Sequence, residues 1–350
     1  MTHAASNDLD YLATRLHARR SRMAEKERLG ELCRARSVPE LGRAIFPSTE
    51  ISVTADFQRR LVRDLATEIS DCLKHLDSEN QEFIAWLLAR FQIENAKILL
   101  RGFLARTSLE TAQSHLVPLP TGLALNATAL LAAKSLEEFI ALLPSGSPRN
   151  RLRAVVTSQR ESPSAFILEA ALDAGYFQEL LARNSRLRSG EPEIIKPLIS
   201  QEANLFQFLL LVRGKFHFGL TAETLMPLLV SRRAGGWLHA VLSAPDIPSA
   251  AKSVVGIVID ALPAASRTSE RATVEISDIE ALAWQRYLRL ANLTFRRSHM
   301  GIGAVAGYFG VRRMEIANLI TLSEGIRLGL GETETRARLL PRTDLEVANV

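Results

Sequence analysis

The sequence predicts an all-α protein built from three similar helical domains. Apolar residues recur with helical spacing along almost the entire chain, and convincing strand alternation is absent. Aromatic residues make up only 6% of the 350 residues, a composition poor in residues that sheets favour. A motif that returns at nearly constant spacing divides the chain into three.

The helices can be placed in order from their apolar spacing and their start signals. The first is marked by the leucines of Leu9–Leu16. A serine followed three residues later by glutamate forms a capping box, and this pattern predicts helix starts at Ser37, Ser135 and Ser277. Between the last two boxes, Phe166–Leu181 has a broad apolar helix face.

Three stretches with turn-forming residues are predicted to be linkers: Pro47–Val53, Pro144–Arg151 and Pro263–Thr273. The short apolar run Val254–Ile259 fits either a helix or a strand. The longest weakly polar run, Val117–Ala133, is too short and too interrupted by proline to span a bilayer. We therefore expect no transmembrane segment.

The strongest pattern is an internal repeat in which an amide side chain is followed seven residues later by glycine. The amide, the residue before the glycine and the glycine are Asn95, Arg101 and Gly102, then Gln207, Arg213 and Gly214, then Asn318, Glu324 and Gly325. The glycines lie 112 and 111 residues apart, which predicts domains at 1–112, 113–225 and 226–350. This period is longer than that of common solenoids and favours separate domains.

Two interpretations of this motif remain open. Seven residues are nearly two helical turns, so the amide and the glycine share one helix face. In the first interpretation the motif is a core device of each domain: the glycine admits a closely packed neighbouring backbone, and the amide joins two helices by a buried hydrogen bond. In the second, the motif contacts a partner protein directly.

The charge distribution gives a second candidate surface. The formal net charge is +5 and the sequence pI is near 9.5, which permits an anionic partner without requiring one. Residues 15–36 contain eight basic and three acidic side chains, so this stretch alone carries the net excess. Arg19, Arg20 and Arg22 are candidates for a protein contact; the alternative is a solvated helix face.

Motifs that carry chemistry are scarce, and we predict no catalytic, cofactor-binding or metal site. Cys33 and Cys72 form no disulfide or zinc pattern, and the seven histidines lack metal-ligand spacing. The run Gly301–Gly307 is superficially like a phosphate loop, but its spacing differs and no strand precedes it, which favours a helix start. Aromatic residues do not interleave with the basic stretch, so nucleic-acid binding is not expected.

The repeat resembles a known family. Tyr308–Leu330 contains an aromatic helix, Glu-Ile-x-Asn-Leu, a glycine and a Gly-Leu pair, and it resembles the C-terminal signature of the C subunit of A/V-type ATPases, called the d subunit in eukaryotes. Leu168–Leu181 is similar to the central segment of that family and Asp8–Leu16 to its opening helix. Two departures are Gln207, where asparagine is typical, and Glu324, where the other copies have arginine.

The resemblance implies a funnel-shaped protein of three pseudo-symmetric helical domains. It implies a non-catalytic rotor adaptor without cofactors, peripheral on the cytoplasmic face of a membrane. One end would contact the proteolipid ring through protein, and the cavity would receive the tip of the central stalk. Torque would then couple ion transport to ATP hydrolysis or synthesis. The alternative is an all-helical repeat scaffold for protein–protein assembly unrelated to an ATPase.

Overall fold

A computed structural model of the chain describes residues 3–158, 163–188, 190–230, 235–262 and 274–342. Within these ranges the protein is all-helical, as the sequence predicts. Among the described residues, β-type pairing is limited to an isolated bridge between Val255 and Ile259. The predicted linker Pro263–Thr273 lies outside the described residues. No described helix is both long and apolar enough to cross a membrane.

The described helices differ widely in length, and the six longest of them are α4, α5, α10, α11, α15 and α16. The bounds are α1 His3–Arg20, α2 Lys26–Leu32, α3 Val38–Ile45, α4 Thr54–Leu73, α5 Ser78–Ala105, α6 Leu109–His115, α7 Ala127–Leu131, α8 Leu136–Leu142, α9 Ser147–Ser158, α10 Ala165–Asn184, α11 Glu191–Val212, α12 Ala222–Leu225, α13 Gly235–Ser243, α14 Ile247–Lys252, α15 Ile276–Ser298, α16 Ile302–Arg327 and α17 Glu332–Arg336. A π-helical turn, Arg213–His217, extends α11, and a 3₁₀ turn, Met226–Leu228, follows α12.

The six long helices form three consecutive pairs: α4 with α5, α10 with α11, and α15 with α16. Each pair also contacts the next, through α5 and α10 and through α11 and α15. The third pair returns to the first, because α16 packs against α4. The six helices therefore make a closed cycle of contacts, with one continuous apolar core between them.

Two of the three predicted serine caps are confirmed. Ser37 Oγ accepts the Glu40 amide at 3.3 Å, and Ser135 Oγ accepts the Glu138 amide at 3.2 Å. The third was wrong: α15 begins at Ile276 after Glu275, and the Ser277 hydroxyl donates to the Glu275 carboxylate. A serine inside the first turn cannot cap it, because its side chain no longer faces the free amides.

Two other local expectations are corrected. The predicted linker Pro144–Arg151 is shorter than expected, because α9 already begins at Ser147. The run Val254–Ile259 is neither helix nor strand but a series of turns, in which Val254, Val258 and Ile259 are fully buried. Its apolar side chains thus fill the core without regular backbone pairing.

Candidate functional site

The long-helix pairs are joined at one end by polar contacts at equivalent positions. Arg101 on α5 donates to both carboxylate oxygens of Glu169 on α10, at 2.5 and 2.7 Å. Arg213 at the end of α11 donates to Glu280 on α15 at 2.9 Å. We call the residues of these two contacts, together with Gln58 and Glu324, the rim.

The third rim contact closes the cycle. Gln58 on α4 donates to Glu324 on α16 at 2.7 Å. Gln58, Glu169 and Glu280 are each the fifth residue of their helices and lie 111 residues apart. The residue before each repeat glycine thus contacts the first helix of the next pair in all three cases.

A buried cluster of charges lies deeper between the same helices. Arg313 donates to both oxygens of Glu202 at 2.9 and 3.0 Å, and Arg90 Nε lies 3.9 Å from that carboxylate. Arg90 also donates to Asp173 at 2.6 Å, and Lys97 Nζ lies 3.2 Å from Asp173. We call these five residues the ionic cluster.

The ionic cluster also follows the repeat. Arg90, Glu202 and Arg313 lie 112 and 111 residues apart, the spacing of the repeat glycines. Burial alone would raise the pKa of Glu202, but Arg313 and Arg90 outweigh it and hold this pKa below its ordinary value. Glu202 is therefore a carboxylate, and the ionic cluster is a network of ion pairs that joins four long helices, α5, α10, α11 and α16.

A cavity of about 350 Å³ opens between α5, α10, α11 and α15. Two rim contacts line its mouth, and Arg90, Asp173 and Glu202 lie at its base. Apolar and aromatic side chains line the cavity between its mouth and its base; they include Phe166, Phe206, Leu209 and Trp284. The volume is within the range of sites that admit several side chains or a small molecule.

The three repeat amides serve a different purpose from the rim. Asn95 donates to the Val117 carbonyl at 2.8 Å and accepts the Val117 amide at 2.7 Å. Asn318 makes the same two contacts with Leu340, both at 2.8 Å. In the second copy, Gln207 accepts the Val230 amide at 3.1 Å.

The amides therefore hold backbone segments that lie 22 or 23 residues further along the chain. We call these contacts the amide tethers. They support the core-device interpretation, with one correction, since the partner of each amide is an irregular segment after a short helix rather than a second helix. A buried amide that bonds both backbone groups of one residue fixes that segment firmly.

The repeat glycines face the short helices. A Cβ at Gly214 would lie 2.5 Å from Leu225 on α12, and one at Gly325 would lie 2.7 Å from Thr335 on α17. At Gly102 the nearest atom is Leu131 Cδ2, at 3.1 Å. The glycines thus admit neighbouring side chains, and the expectation of a closely packed backbone at these positions was wrong.

Arg15, the first residue of the basic stretch, lies far from the rim. Arg15 forms an ion pair with Asp71, which lies thirteen residues beyond Gln58 on α4 and hence about 20 Å along that helix. Arg20 is largely buried and donates to Asn292, and Arg19 has a buried guanidinium nitrogen without a hydrogen-bond partner among the described residues. Of the three candidates, Arg22 is the exposed one.

The sequence singles out Arg101 and Arg213 as structural or interface candidates, and the structure places both on the rim. Sequence reasoning missed Gln58, Glu169 and Glu280 on the rim, and the whole ionic cluster. The available signal was the spacing of 111 or 112 residues, which relates equivalent positions even where the residue types differ. In the described part of the chain, no group of three His, Cys, Asp or Glu side chains could hold a metal ion.

These contacts define an all-helical repeat protein with a cavity between its long helices. The family model described as ATP synthase (C/AC39) subunit matches residues 12–338. The chain therefore belongs to this family.

Similar curated proteins are named as the C subunit of A-type ATP synthase. The protein of Haloferax volcanii is 22% identical, covering 97% of this chain and 99% of its own length. That of Methanosphaera stadtmanae is 21% identical over 91% of this chain and 83% of its own length. The Methanocaldococcus jannaschii protein is 20% identical over 94% and 86%.

Proposed function

We propose that the chain is a non-catalytic rotor adaptor of a rotary A/V-type ATPase. It links the central-stalk subunits to the membrane proteolipid ring and transmits torque during ion transport coupled to ATP hydrolysis or synthesis. Its place is peripheral, on the cytoplasmic face, with protein contacts to the membrane sector. Membership of the ATP synthase (C/AC39) family and the names of its relatives support this role.

The observation that carries the proposal is the recurrence of the rim contact at three equivalent places. A cyclic arrangement of similar units suits a part that must sit on the axis of a rotating assembly. We propose three pseudo-symmetric domains in a funnel, with boundaries near residues 112 and 225. These positions lie within α6 and at the end of α12, the short helices against which repeat glycines pack.

We propose that the stalk contacts the rim and the cavity beneath it. Two of the three rim contacts are pairs of opposite charges. Charge complementarity guides docking and sets orientation. The apolar and aromatic side chains that line the cavity beneath the rim would then contact side chains of the stalk tip. A helix is about 10–12 Å across, so a cavity of about 350 Å³ admits side chains rather than a whole helix.

Exchange of one rim pair tests this contact. In the double variant Arg213→Glu/Glu280→Arg, the internal ion pair is restored but the charges offered to a partner are reversed. We expect the double variant to remain folded and to bind purified central-stalk subunits more weakly, most clearly at low salt. Arg186→Glu, an exposed change near the opposite end of α10, is the control and should bind normally.

Wild-type binding by the exchanged pair would remove this rim contact from the stalk interface. The alternative function, a helical scaffold outside any ATPase, predicts no binding to the stalk or the proteolipid ring at any salt concentration.

The isolated chain should also fail to hydrolyse ATP. Stoichiometric turnover that survives further purification would contradict the non-catalytic role.

A further inference from the structure

A groove of about 490 Å³ on the flank of the protein is separate from the rim cavity. It lies between the N-terminal segment, α15, α16 and residues 336–341. Its floor is apolar, formed by side chains that include Leu29, Leu288, Val311, Met314 and Leu339. A volume of this size with an apolar lining is typical of a site for a small organic ligand.

The polar groups inside the groove already have partners. Asn318 uses its amide on both backbone groups of Leu340. Glu315 accepts the Ala24 amide at 2.5 Å and a second hydrogen bond from Arg312. The groove therefore offers little to the amides and carbonyls of a bound peptide, which would lose their hydrogen bonds to water. An alkyl chain makes no such demand.

The mouth of the groove is cationic. Arg20, Lys26 and Arg296 lie there, and among the described residues neither Lys26 nor Arg296 has an ion-pair partner. Glu25, 3.8 Å from Arg20, offsets part of this charge. Burial lowers the pKa of Arg20, and the nearby Arg296 lowers it further. An anion between these two guanidinium groups would relieve their repulsion.

We propose that this groove binds a free long-chain carboxylate, with its alkyl chain on the apolar floor and its head group between Arg20 and Arg296. The match has two parts. Each methylene removed from water by the apolar floor favours binding, and the carboxylate gains charge-assisted hydrogen bonds from guanidinium groups. A single anionic head and an unbranched apolar tail meet both requirements.

Titration of the full chain with dansyl-undecanoic acid tests the proposal. We expect saturable binding at one site, seen as enhanced, blue-shifted dansyl fluorescence. Arg296→Glu should weaken binding by about tenfold or more, because it replaces the unpaired cation with an anion. Arg297→Glu is the matched control; it changes the neighbouring residue, which does not line the groove, and should leave binding unchanged.

Two further measurements separate the head group from the tail. The uncharged methyl ester of the probe should bind wild-type protein more weakly than the acid does. To the Arg296→Glu variant, the ester and the acid should bind equally. Leu288→Trp narrows the floor and should weaken both probes, with folding checked by circular dichroism. Acid binding that is unchanged in both Arg296→Glu and Leu288→Trp would overturn the site. Binding to anionic vesicles without competition from the free acid would overturn the assignment to a free amphiphile.

Discussion

Arg313 and Glu202, 111 residues apart in the chain, form a two-point ion pair in the interior of the protein. Each is the counterpart of the other in successive repeats, and Arg90 is the third member of the set. The equivalent position thus carries glutamate in the second repeat and arginine in the first and third. Glu202 attracts both arginines, whereas three identical charges at these positions would repel each other.

Neutralising Glu202 should destabilise the protein severely. Glu202→Gln leaves Arg90 and Arg313 largely buried without their shared carboxylate, and removal of one partner of a buried ion pair typically costs about 3–5 kcal/mol. Denaturant unfolding measures the effect. Glu223→Gln, an exposed change on α12, is the control and should remain within about 0.5 kcal/mol of wild type. Equal stability of the two variants would show that the ionic cluster contributes no net stability.

Acid should weaken the protein partly through the same carboxylate. The folded pKa of Glu202 lies below its ordinary value near 4.5, so its stabilisation is fully present above that value and is lost as pH falls through the folded pKa. The free energy of unfolding should therefore fall with acidification in this window. Glu202→Gln should lose less stability over the same range, and a pH series of denaturant unfolding compares the two slopes.

The amide tethers should contribute similarly in the first and third repeats. Asn318→Ala leaves both backbone groups of Leu340 without their partner, and we expect a loss of about 2 kcal/mol or more. Asn95→Ala should cost a similar amount, because its contacts with Val117 have the same geometry. Gln113→Ala, at an exposed position, is the control. A negligible cost at both asparagines would mean that water replaces the tether.

The three repeat glycines should not respond alike to leucine. Gly214→Leu would displace the side chain of Leu225, and Gly325→Leu would displace that of Thr335. Overpacking of this kind costs about 1–3 kcal/mol. Gly102→Leu should cost less, because its nearest neighbour is 3.1 Å away at the end of a leucine side chain. Gly236→Leu on α13, with open space around it, gains helix propensity and should be neutral or stabilising. Thermal unfolding decides the order.

The third rim contact can be converted into the form of the other two. Hydrogen bonds from Gln58 and Arg327 hold the pKa of Glu324 below its ordinary value. Gln58→Glu places a second carboxylate there and should raise that pKa, which NMR titration would detect. Adding Glu324→Arg recreates an Arg–Glu pair and should recover any lost stability. No rise in the single variant would show that the two side chains do not interact in solution.

The repeat could be recognised from the sequence because its spacing is nearly constant, but the contacts it makes could not. The partner of Asn318 is the backbone of Leu340, and only the path through α17 brings that residue back to the asparagine. Likewise, the glycine at 214 indicated close packing, but its neighbour Leu225 is set by the turn after α11.

The ionic cluster was harder to predict for a different reason. A search for similar residues passes over Arg90, Glu202 and Arg313, because the middle member has the opposite charge. The sequence also suggested that Arg20 lies on a solvated face or an interface, whereas its guanidinium is largely buried over the Phe295 ring, 4.8 Å from the centroid. Long cationic side chains often cover apolar surface in this way, which charge counting cannot reveal.

The contact between Gln58 and Glu324 also has a consequence for synthesis on the ribosome. These residues are 266 positions apart, so α4 is made long before the helix that covers it. At about 5–20 residues per second, the nascent chain waits on the order of tens of seconds with this face of α4 open. Docking of α16 is therefore a late step of assembly, and this face of α4 stays exposed to water until that step occurs.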